Sequence, residues 1–272
     1  MSIRKKILAI SIGPVLVLGV ITLLFILTMV KSSLMDEVQD ALKGTAAATL
    51  AAYDQNTGDY LESTNGDIWK GSYNISKSES LVDRIKENTG MDVTFFYGNK
   101  RIMTSALDKK GNRILGSEAG ERVVNQVIKG KKPFFSTNVS LDGTRNYGYF
   151  IPVYQNGTTD QVIGMVFVGT NKAQKDAIVN KILGSIMMAL LVVMLLCIVT
   201  AMRMAASISK NIKNSVAVVG KLADGDLNVW VDEKLLKRKD EIGDLSRGTM
   251  TLRDAMKLSL IHISEPTRLG MI

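Results

Sequence analysis

The chain has 272 residues, 46% hydrophobic, 22% charged and 6% aromatic, room for one moderate domain together with membrane segments or small modules. The net charge of +8 is dispersed: Arg4, Lys5 and Lys6 precede the first apolar run, residues 31–181 carry net +2 and residues beyond Met202 net +3. No segment is a polycationic tract, which argues against nucleic acid as a partner. One cysteine (Cys197), one histidine (His262) and the absence of G-x-S-x-G, phosphate-loop and dinucleotide motifs leave no metal, cofactor or catalytic site to propose, so the expectation is a protein that is not an enzyme.

In chain order, the first element is an uncharged run from Ile7 to Val30, 24 residues or about 36 Å as a helix, enough to cross a hydrocarbon core of about 30 Å. A cleaved signal peptide would have a shorter apolar core and a small-residue cleavage site before Lys31. The second such run, Ile182 to Met202, has 21 residues. Arg4, Lys5 and Lys6 predict a cytoplasmic amino terminus. Residues 31–181 are then expected outside a plasma membrane crossed twice, with everything after Met202 back inside.

Between the spans, Leu34, Val38, Ala41, Leu42, Thr45, Ala48 and Ala52 recur at helical spacing, so a long helix continues outward from the first span. Residues 54–76, rich in Asn, Asp, Gly, Ser and Thr, read as loop, with Trp69 and Tyr73 as large groups available to cover something. A short helix with Leu81, Val82 and Ile85 on one side ends at Gly90. The period then becomes extended: "DVTFFYG", "KRIMTSA", "KPFFSTNV", "RNYGYFIPVY" and "VIGMVFVG" predict five strands joined by short turns, hence an antiparallel sheet. A helix with Val123, Val124, Val127 and Ile128 lies between the second and third strands, and a helix starting at Asn171 runs into the second span.

These strand blocks, with "TGMDVTFFYGNKRIMTSALDKKGNRILGS" and "GKKPFFSTNVSLDGTRNYGYFIPVYQNG" between two spans, resemble the single Cache sensing domains of bacterial chemoreceptors and sensor kinases. The resemblance implies an α+β membrane protein in which two transmembrane helices flank an extracytoplasmic PAS-like antiparallel sheet carrying a long N-terminal helix on one face. A small extracellular ligand, an organic acid or amino acid, would sit on the other face. Arg101 matches the family's strand arginine and would pair with a ligand carboxylate through two parallel hydrogen bonds. Phe96, Thr104, Tyr147 and Tyr149 are placed beside it, with Trp69 and Tyr73 as a lid. Read from the residues alone, each tyrosine is more often sheet packing than a ligand contact, and the partner of Arg101 could equally be Asp92 or another internal acid.

After the second span, Ile208, Ile212, Ser215, Val219 and Leu222 follow 4-3-4-3 spacing, the seam of a coiled coil. Gly225 ends that helix, "DLNVWV" alternates Leu227, Val229 and Val231 as an extended connector does, and Asp240 caps a second seam of Ile242, Leu245, Thr249, Leu252 and Met256. The "GDL" and "DEIGDL" blocks make residues 203–257 resemble a HAMP linker, although Asn211 stands where that family often has proline. This implies a homodimer with a four-helix coiled coil, in which Asn211, Gly225, Leu227, Val231, Glu241 and Ile242 carry the relay. Residues 258–272 resemble a translated adapter read and are set aside as an artefactual tail. The expected whole is a truncated methyl-accepting chemotaxis receptor, meeting a cytoplasmic chemotaxis kinase and adaptor only through a missing output domain. The alternative is the input half of a sensor histidine kinase or diguanylate cyclase.

Overall fold

A computed structural model of the protein describes residues 3–264. Helix α1 (Ile3–Phe25) passes through one π turn (Ile26–Val30) into α2 (Lys31–Asp54), so the predicted outward extension is one continuous helix. Three short strands follow, β1 (Tyr60–Glu62), β2 (Ile68–Lys70) and β3 (Tyr73–Asn74), then a 3-10 turn (Ile75–Lys77) and α3 (Glu79–Thr89). The principal sheet has β4 (Asp92–Tyr97), β5 (Lys100–Thr104), β6 (Phe134–Leu141), β7 (Thr144–Tyr154) and β8 (Val162–Asn171), with α4 (Glu121–Val123) and a π turn (Val124–Lys129) between β5 and β6. From Lys172 a single 52-residue helix, α5 (Lys172–Ala223), runs on; α6 (Glu233–Leu236) and α7 (Glu241–Ser264) complete the chain.

The five predicted strands are present and wholly antiparallel, in the order β5-β4-β8-β7-β6. The stretch read as loop, residues 54–76, departs from expectation because it folds into a second antiparallel sheet, β1-β2-β3. Its strands are only two or three residues long and rich in turn formers, too short for period-two alternation to show.

The two faces of the principal sheet bury different clusters. On one side α2 crosses β7 and β8 with Leu42, Ala46, Thr49 and Tyr53 buried. That stripe differs from the predicted one, since Ala41 and Ala48 are exposed; a run of alanines gives weak contrast, and the ring of Tyr53 sets the rotation. Tyr53, Tyr60, Val93, Phe95, Met103, Val166 and Val168 form this core, with the Tyr53 and Phe95 rings edge to face at 5.1 Å. On the opposite side Phe96, Val127, Phe150, Met165 and Phe167 pack beneath α4 and its π turn.

Leu23–Met187 form one compact unit; the remaining described residues form another. In the second unit α5 ends in a Schellman cap: Gly225, at φ +84°, donates from its N–H to Leu222 O at 3.1 Å, and Asp226 donates to Lys221 O at 2.9 Å. A residue with a Cβ would be strained in that left-handed conformation. Asp240 caps α7 by accepting from Gly243 N at 3.2 Å, as predicted. Part of the predicted seam is buried within this chain, at Ser215, Leu222 and Thr249, while Val219, Leu245 and Leu252 remain exposed at 42%, 44% and 48%. The helix α7 continues past Met256 to Ser264; Pro266 and the end of the adapter-like tail lie outside the described residues.

The helices α1–α2 and α5 are both long and apolar enough to cross a membrane. Almost none of either apolar stretch is buried in the protein: Leu18 is 66% exposed, Met188 63% and Leu196 60%. Side chains this apolar, presented outward over such lengths, suit a hydrocarbon solvent.

Candidate functional site

A cavity of about 490 Å³ opens on the sheet face away from α2, within the range of roughly 300–1,000 Å³ usual for small-molecule sites. Its floor is aromatic, made by Phe96 of β4, Phe150 of β7 and Phe167 of β8. Phe150 and Phe167 are direct cross-strand partners with centroids 4.8 Å apart. Gly148 and Gly169, also paired across β7 and β8, leave the space the Phe167 ring occupies; a Cβ on either would overlap that ring. One wall is β6, whose register slips between Ser136 and Val139 so that the strand bulges beside the cavity. The other wall is the segment Glu118–Val123 leading into α4.

Arg101 enters from β5, where it pairs across the strand with Phe96 and holds its guanidinium 5.3 Å from that ring. A bulge between Phe95 and Phe96 creates this register. Arg101 is 7% exposed, and its only side-chain hydrogen bond among the described residues runs from one terminal nitrogen to Ile114 O at 3.3 Å. Its Nε is buried without a partner among the described residues. Burial pulls its pKa below the ordinary arginine value, only partly opposed by the field of Asp92. Asp92 is not its partner: that carboxylate holds Lys86 at 2.8 Å and accepts from Ser105 at 3.2 Å. Among the described residues no carboxylate pairs with this buried guanidinium, which leaves it a donor able to take a further acceptor.

Of the residues singled out from sequence, Phe96 and Arg101 meet in this cavity. Thr104 lies on the same sheet face but is consumed by structure: its hydroxyl is 2.7 Å from that of Thr94 and accepts from Ala106 N at 3.1 Å. Tyr147 and Tyr149 are corrected to the opposite face, in the core beneath α2. The Tyr147 hydroxyl donates to Asp176, one turn into α5, at 2.5 Å, and burial, then that bond, raises its pKa to about 12. Trp69 and Tyr73 do not cover the cavity either. They belong to the small sheet, where Tyr73 packs 6.3 Å from Tyr53. Sequence reasoning missed Phe150, Phe167, Phe134 and Arg122, the last lying over the Phe134 ring at 5.5 Å. The alternation of Tyr149 and Phe150 was the available signal, since adjacent strand residues must face opposite ways.

The five-strand antiparallel sheet thus carries α2 on one face and, on the other, the cavity that Arg101 lines. The family described as single cache domain 3 matches residues 73–182. Residues 73–182 are thus similar to a single Cache domain. Cache domains bind small extracellular ligands and serve chemoreceptors, kinases and cyclases alike, so this match supports ligand sensing as the class of function. Two apolar helices of spanning length flank the Cache domain in the sequence, a layout compatible with a membrane-bound sensor. No curated protein matches the chain.

The residues expected to relay a signal all lie in the second unit. Asn211 sits within the unbroken helix α5. Gly225 forms the Schellman cap of α5, and Leu227 and Val231 are half-buried on either side of the buried Val229 in an extended connector. Glu241 and Ile242 open α7. The Arg253 guanidinium lies 4.6 Å over the exposed Trp230 ring and donates to Val229 O at 3.2 Å, pinning the connector to α7.

Proposed function

We propose that this protein is a transmembrane receptor of the chemotaxis type, in which the Cache cavity takes a small extracellular carboxylate and α5 carries the response to a HAMP-like linker on the cytoplasmic side. The observation that carries the reading is Arg101, buried in the cavity wall with no partner for Nε among the described residues. In this reading the chain is a sensor and not an enzyme.

The route outward from the cavity has support in two contacts. Lys172, the first residue of α5, donates to Thr137 O in the cavity-lining bulge of β6 at 3.1 Å. Tyr147 ties β7 to Asp176 one turn further on, and its ring stacks on Phe135 at 6.3 Å. An anion drawn onto Arg101 would repack β6 and bias the position of α5, and a helix of 52 residues passes such a shift along its axis. The exposed stripe at Val219, Leu245 and Leu252 supports pairing with a second copy, which would bury both seams of the linker.

The test is ligand titration of the full chain in lipid nanodiscs, by thermal shift and calorimetry, against acetate, succinate, amino acids and longer carboxylates. A ligand at 100 times its Kd should stabilise the fold by about 2.7 kcal/mol. Loss of that shift in Arg101→Ala, with the unliganded fold intact, is the expected result. A carboxylate that binds Arg101→Ala as tightly as the parent would sink the reading.

A further inference from the structure

The lining of the cavity constrains the body of the ligand as well as its charge, an assignment that rests on the carboxylate reading of Arg101. Among the described residues its one acid is Glu118, which is exposed at the wall, and its basic groups are Arg101 and Arg122. An α-amino acid brings an ammonium group that, once out of water, needs a carboxylate or several well-aimed acceptors. No buried carboxylate lines the cavity among the described residues. Its floor offers the faces of Phe96, Phe150 and Phe167, with Phe134 and Val139 at the side, while Ser136, Thr137, Asn138 and Ser140 make the β6 wall polar and the last three of these are exposed, so the apolar and aromatic part of the cavity is its buried floor beyond Arg101.

We infer that the ligand is a monocarboxylate with an apolar or aromatic body, its carboxylate on Arg101 and its body on the phenylalanine floor, and that amino acids and short dicarboxylates are discriminated against. A second carboxylate would have to lie against the phenylalanines or reach the exposed Arg122, where water competes for it. An apolar body gains affinity for each group it buries, roughly three- to fourfold per methylene and about 10- to 100-fold for a phenyl ring.

Five probes test this on the full chain in nanodiscs by calorimetry: propanoate, hexanoate, 3-phenylpropanoate, L-phenylalanine and succinate. The expected order places 3-phenylpropanoate and hexanoate tightest, with propanoate at least about 10-fold weaker and L-phenylalanine at least about 10-fold weaker than its deaminated counterpart. Binding should vanish in Arg101→Leu. Phe134→Ala should weaken 3-phenylpropanoate several-fold while leaving propanoate unchanged. Tighter binding of L-phenylalanine or succinate than of 3-phenylpropanoate, lost in Arg101→Leu, would overturn the apolar-body assignment and leave carboxylate sensing intact. Failure of all five to bind a folded chain would overturn both.

Discussion

The two faces of the Cache sheet are built from similar residues to opposite ends. Under α2 the large polar groups have partners: the Tyr53 hydroxyl is 2.9 Å from that of Ser78, Tyr147 bonds Asp176, and the buried Lys70 reaches Asp54 at 3.2 Å while lying 4.1 Å over the Tyr60 ring. Across the sheet the aromatic residues instead surround open space, and the buried Arg101 keeps an idle donor. The face under α2 is closely packed, whereas the cavity face holds a buried cation with a donor left over among the described residues.

If that contrast is right, truncations on the two faces should separate stability from binding. Phe95, fully buried between Tyr53 and Tyr60, should give the largest stability loss: Phe95→Ala is expected to cost about 3–5 kcal/mol by chemical denaturation. Next comes the cavity floor, where Gly169→Ala forces a methyl into the Phe167 ring. Overpacking of this kind costs about 1–3 kcal/mol, and because Phe167 lines the cavity floor, carboxylate affinity should fall as well. Arg101→Leu should change stability little or raise it, since it removes a buried, half-satisfied charge and leaves an apolar group in its place. It should nevertheless abolish binding. A large destabilisation on that substitution would mean that Arg101 is a structural residue and would erase the difference between the faces.

Much of this was legible in the sequence, and what was not has a definite cause. The five strands announced themselves as β-branched and aromatic runs between turn residues, and Gly90, Gly225 and Asp240 marked helix ends by well-understood chemistry. Arg101 stood out as a charge in an apolar block. The face on which each strand's alternate residues lie was not legible, because it depends on register between strands far apart in the chain. Phe150 meets Phe167, which meets Thr94, while Tyr149 meets Val168, which meets Val93. Only those pairings show that Phe96 shares a face with Phe150 and not with Tyr149, and the bulges at Phe95–Phe96 and Ser136–Val139 shift the parity again. The tyrosines were therefore placed in the site when their neighbours belonged there.

The smallest expected effect concerns the covered face and its tie to α5. The Tyr147 hydroxyl is pushed from the ordinary value of 10.0 to about 12, first by burial and then by its bond to Asp176, so the fold disfavours the phenolate. A folded pKa above the unfolded one means that the contribution to stability is complete below pH 10.0 and is lost as pH rises through about 12. Tyr147→Phe removes one hydrogen bond, worth about 1 kcal/mol at neutral pH, and with it this part of the alkaline dependence. Denaturation at stepped alkaline pH should therefore show parent and variant converging as the pH passes 10.0. Binding of a carboxylate at Arg101 should be unchanged in Tyr147→Phe, because the hydroxyl lies on the other side of the sheet. A parallel pair of alkaline profiles would show that the phenol does not hold the start of α5, while impaired binding would show that the two faces are not separate.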